Sequence, residues 1–132
     1  MILRTTATLI SIALLNSPPV DAKVHISKYD ACIQEADGVH PAILECMSSE
    51  TESINQATNR LLSTHYSDGT KDAAARKLHT QQHAWDAFIL LKCSIYLDLG
   101  GQRGELLEEN CRLDETRRHK SYVADVLSSF GV

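Results

Sequence analysis

Two imidazoles, His79 and His83, stand four residues apart, the spacing at which one face of a helix offers a metal two ligands. A metalloprotease helix would carry a Glu directly after the first of them, and Thr80 stands there instead. With no third ligand evident, both read as surface histidines, and no metal or other cofactor is expected. Arg117-Arg118-His119-Lys120 is the only basic run. A phosphate or nucleic-acid patch would need a Gly-rich cradle or aromatic partners beside it, and acidic Asp114 and Glu115 precede it instead. The run reads as a solvated helix face. Ser, His and Asp occur without a Gly-x-Ser-x-Gly elbow to frame them, and 17 carboxylates are too common a stock to single out a glycosidase pair. No catalytic residue is expected. The chain reads as a binding module rather than an enzyme.

The balance of charge narrows the partner. Lys and Arg total 13 against 17 Asp and Glu, a formal charge of -4 over 132 residues, and an electrostatic nucleic-acid binder carries the opposite sign. Only 5% of residues are aromatic, too few for stacking platforms. Residues 1–22 read as a secretory leader. Arg4 gives the positive start, Thr5 to Leu15 the apolar stretch, Ser17-Pro18-Pro19 the break, and Val20-Asp21-Ala22 the small-x-small cleavage site. The expected product is a single domain over residues 23–132, exported to the periplasm or beyond, with no membrane anchor after cleavage.

Helical periodicity dominates what remains. A short helix is expected over Tyr29 to Ala36, stopped by Asp37-Gly38 and the Pro41 that follows. A second runs from about Pro41 to Tyr66, with Leu44, Met47, Ile54, Leu61 and Leu62 on one side, and Ser67-Asp68-Gly69-Thr70 ends it. The third covers about Lys71 to Leu99, with Leu78, Trp85, Phe88, Ile89 and Tyr96 as core candidates. Gly100-Gly101 and Gly104 break it. The fourth covers about Glu105 to Ser128, with Leu106, Leu113, Val123, Val126 and Leu127 inward. Its early Glu105, Glu108 and Glu109 and later Arg117, Arg118 and Lys120 would complement the helix dipole, with Glu108/Arg112 and Asp114/Arg118 paired at i,i+4. The expected fold is all-α: a small antiparallel bundle of three main helices plus a short N-terminal one.

Cys32, Cys46, Cys93 and Cys111 all follow the leader, an even number in an oxidising compartment. Four cysteines allow three pairings. The local scheme, Cys32–Cys46 with Cys93–Cys111, is favoured because each member flanks an expected helix break, and each closed loop would contribute up to about 3 kcal/mol. No close Cys-x-x-Cys pair supports zinc.

The framework as a whole resembles the LprI N-terminal domain family of bacterial envelope proteins. The resemblance rests on Cys32 and Cys46, Ile54-Asn55 on the next helix, Gln82-x-x-Trp85-x-x-Phe88, Cys93, Gly100-Gly101, Cys111 and Thr116 with Arg118. That family takes its name from a lysozyme inhibitor. The resemblance therefore implies an exported protein whose partner is a basic cell-wall hydrolase such as lysozyme, toward which a charge of -4 would steer it. The alternative is an envelope scaffold or toxin-immunity protein without lysozyme-inhibitory activity. Trp85, on a stripe with Leu78 and Ile89, is expected in the core, with Gln82 bonding backbone across the bundle. Partner contacts are expected at the breaks between helices, with Asp68 and Arg103 as candidates.

Overall fold

The computed structural model describes residues 26–67 and 73–129, and for residues 65–67 the backbone alone. The leader, the turn at 68–71 and the candidate contact Asp68 lie outside the described residues. Four helices follow in order: α1 (Lys28–Ala36), α2 (His40–Ser67), α3 (Ala73–Ser94) and α4 (Gly101–Ser129). A 3₁₀ turn, Ile95–Leu99, joins the last two, and no strand occurs among the described residues. The fold is all-α, as its periodicity dictates.

Local chemistry sets the boundaries. The Ser27 hydroxyl accepts the Asp30 N–H and so caps α1, and Asp37 ends it in the left-handed region at φ 44°. A short polar side chain tolerates that backbone, and Gly38 at φ 79° completes the turn. Pro41 falls in the first turn of α2, where a missing N–H removes no intrahelical bond.

The second break differs from expectation. α4 begins at Gly101 rather than Glu105, and Gly104 belongs to its first turn. Gly100 and Gly101, at φ 69° and 59°, make the reversal. Gly104 serves close approach instead: a Cβ there would lie 2.7 Å from the Tyr96 carbonyl oxygen, so α4 sits directly on the backbone of the 3₁₀ turn. The earlier start also removes the dipole argument. Glu105, Glu108 and Glu109 fall beyond the first turn, which holds no acid, and the dipole's influence fades within one turn. Arg112 does reach Glu108, at 3.7 Å, but Arg118 pairs with Glu115 at 2.9 Å rather than with Asp114.

α4 is the central element, packed against α2, α3 and the 3₁₀ turn, while α1 lies on α2. Leu62 from α2, Ala75 and Leu78 from α3, and Val123 and Leu127 from α4 form the core cluster, with Leu61 and Val126 packed against it. Two disulfides close the structure, Cys32–Cys46 between α1 and α2 and Cys93–Cys111 between α3 and α4, with Cα separations of 5.7 and 5.6 Å. This is the local pairing. Ile54, Ile89 and Leu113 are buried as expected, but Phe88 and Tyr96 are exposed and Trp85 is only half-buried. Helix spacing alone could not see that α4 covers the Leu78–Ile89 edge of the stripe and leaves its flank open.

Candidate functional site

The uncovered flank is organised by one buried imidazole. His119 lies within the basic run on α4, yet its side chain turns inward and is buried, while Arg117, Arg118 and Lys120 stay exposed. The solvated-face reading therefore fails at this one position. Its ring stacks on Trp85 of α3, with centroids 4.4 Å apart and planes 13° from parallel. His119 Nε2 lies 2.9 Å from Gln82 Oε1. An amide oxygen only accepts, so Nε2 carries the hydrogen. The Gln82 amide in turn donates to Asp86 Oδ1 at 2.9 Å. Gln82 thus bonds a side chain on α4 and not backbone across the bundle. Nothing in its local sequence marks its partner, which lies 37 residues away.

Burial pushes the His119 pKa below its ordinary value, with Asp86 opposing the shift. The sign for stability follows. The unfolded chain binds a proton near the ordinary pKa of about 6.5 and the folded chain only at lower pH, so the contribution is complete above that range and is lost as pH falls toward the folded value. Thermal melts at pH 7.5 and pH 5.5 should therefore show the protein less stable at the lower pH. His119→Gln, which keeps an N–H donor but does not titrate, should flatten that difference. Buried Glu109, whose pKa is raised, first by burial, responds in the opposite direction and is common to both proteins. An undiminished pH difference in the variant would remove His119 as the cause.

Around this stack lies a groove of about 500 Å³, lined by Gln81, Ala84, Trp85 and Phe88 of α3 and by Arg118, His119 and Tyr122 of α4. Phe88 marks the start of a second feature. Ten large hydrophobic residues are exposed among those described, and seven of them fall within the twelve positions from Phe88 to Leu99. Leu91 is 77% exposed and Ile95 65%. Single exposed apolar residues are ordinary, but a concentration of them along one helix end and its turn is the kind of feature that meets another protein.

Charge is unevenly spread around these surfaces. α3 carries Arg76, Lys77 and Lys92 against a single carboxylate, Asp86, although the chain as a whole is at -4. The expectation that an acidic protein presents an acidic contact does not transfer to this face. Arg103 lies exposed in the first turn of α4, not in a loop, and is not among the groove-lining residues. His79 and His83 are exposed with ring centroids 6.1 Å apart, and no cluster of three or more metal-ligating side chains occurs among the described residues. No described helix is long and apolar enough to cross a membrane.

The described residues thus form a stapled helical scaffold with an aromatic groove and a run of exposed apolar residues beside it. The family model described as antitoxin TsiV3 matches residues 37–131, and the chain belongs to that family. It is 35% identical over 90 residues to the antitoxin protein TsiV3 of Vibrio cholerae serotype O1, covering 67% of this chain and 68% of that one. No solved structure matches. The resemblance to the LprI N-terminal domain family is thereby overturned. The paired cysteines and the Gly-Gly break belong to the stapling and reversal of the helices, so they described the scaffold without fixing the family.

Proposed function

We propose that this chain is an immunity protein that binds a protein toxin and blocks it, with the apolar surface from Phe88 to Leu99 as its principal contact. The observation that carries the reading is the crowding of exposed hydrophobic residues there, in a chain whose family is that of an antitoxin. The leader read at residues 1–22 and the two disulfides support an encounter outside the cytoplasm. The cell wall is the polymer a toxin meets in that compartment, so a peptidoglycan hydrolase is the toxin class we favour over a host lysozyme.

The test is protection. A candidate toxin gene beside this one is expressed with an export signal, with and without this chain, and growth is followed. Growth restored by the chain, together with a complex on size-exclusion chromatography, is the expected result. Continued killing with the chain in molar excess and no complex would overturn the proposal. Lysozyme turnover measured in parallel separates a dedicated antitoxin from a general inhibitor of wall hydrolases.

A further inference from the structure

The groove beside the ridge has walls from α3 and α4 alone, and no residue of α2 lines it. Gln81, Ala84, Trp85 and Phe88 recur at helical spacing along one wall, and Arg118 and Tyr122 stand one turn apart on the other. Two antiparallel helices with an apolar channel between them leave the position that another helix occupies in a four-helix bundle. The Trp85–His119 stack lies within it, and the Gln82 side chain fixes the imidazole by a hydrogen bond.

The rim is cationic at both ends. Beside Phe88, the Lys92 ammonium lies 5.9 Å from the ring centroid, and the Arg118 side chain is 74% exposed. At the other end Gln81 is shared with a second depression lined by Arg76 and Lys77. The nearby carboxylates are already engaged: Glu115 by Lys92 at 3.1 Å and Arg118 at 2.9 Å, and Asp86 by the Gln82 amide.

We propose, resting on the antitoxin reading, that the α3–α4 groove receives an amphipathic helix of the toxin whose apolar face is flanked at both ends by carboxylates. The apolar face fills the channel over Trp85, Phe88 and Tyr122, and the flanking acids meet Lys77 at one end and Arg118 at the other. A chain that is acidic overall can thus recognise an acidic segment, because at this end one carboxylate, Glu115, is shared by two cations, Lys92 and Arg118, and leaves the rim net positive.

Trp85 is the sole tryptophan of the chain, so its emission reports on the groove directly. Two helical peptides of about sixteen residues are titrated into the intact protein, with leucines at i, i+4 and i+7 and either glutamates or lysines at both ends. The glutamate twin should shift Trp85 emission to shorter wavelength and bind about tenfold more tightly at low salt, with the gap narrowing as salt screens it. Lys77→Glu combined with Arg118→Glu, with helicity checked by circular dichroism, should reverse the preference. Equal binding of the twins, or no response to either, would overturn the proposal. So would emission that changes with protein concentration alone, which would put a second copy in the groove. Toxin protection left intact by the double reversal would sink the groove and leave the antitoxin reading standing. Failure of the unaltered chain to protect would sink the reading itself.

Discussion

Removing the staple between α3 and α4, by Cys93→Ala together with Cys111→Ala, is expected to lower the unfolding free energy by about 2–5 kcal/mol. Cys93 is fully buried, and the bond spans a sequence separation of 18 that contains the 3₁₀ turn and the start of α4. No side chain of that turn is buried, so its packing on α4 is by backbone approach at Gly104, and the covalent tie adds the main constraint on the hairpin end. Opening Cys32–Cys46 frees a loop of similar length, yet α1 has only Ala36 fully buried and can detach while α2, α3 and α4 stay together. Denaturant titration of the two double variants should show a cooperative loss for the first pair and a smaller one for the second. A change under about 1 kcal/mol for the Cys93–Cys111 pair would show that α3 and α4 hold themselves together.

Trp85 illustrates how a correct helical stripe can mislead about energy. Its expected place in the core would give Trp85→Ala the full large-to-small penalty. The ring is half-buried, with one face on His119 and Phe88 tilted at 46° to it, 6.1 Å between centroids. Truncation there removes part of a groove wall, not a core anchor.

The residues that were legible in the sequence act through neighbours close in the chain. Asp37-Gly38 stops α1 by its own backbone preference, and the cysteines pair across the breaks at sequence separations of only 14 and 18. The residues that were not legible act at long range. Gly104 resembles any helix breaker until the Tyr96 carbonyl is seen 2.7 Å from its absent Cβ. His119 is hidden among cations on both sides, and only the fold brings Gln82 and Trp85 to it. The apolar residues of Phe88 to Leu99 are consistent with core or surface, because the pattern of a helix face does not say which faces are left without a neighbour.

The ridge gives the largest expected effect on binding. Leu91→Asp combined with Ile95→Asp should weaken toxin binding by at least about a hundredfold and abolish protection, since buried anchors at the centre of an interface each contribute about 2 kcal/mol or more. Both side chains are mostly in solvent, at 77% and 65% exposure, so neither aspartate is buried by folding. Surface changes of this kind shift stability by about 0.5 kcal/mol or less. The two readouts therefore separate: an unchanged melt with lost protection. Leu113→Ala provides the opposite signature, because that side chain is wholly buried in α4 and its truncation should cost about 2–5 kcal/mol. The conservative Leu91→Met, which keeps an apolar chain of similar volume, should retain most of the affinity. Full protection by the double aspartate variant would move the toxin contact off the ridge. Lost protection accompanied by an equally lowered melt would trace the effect to folding, and the ridge would lose its claim as a binding surface.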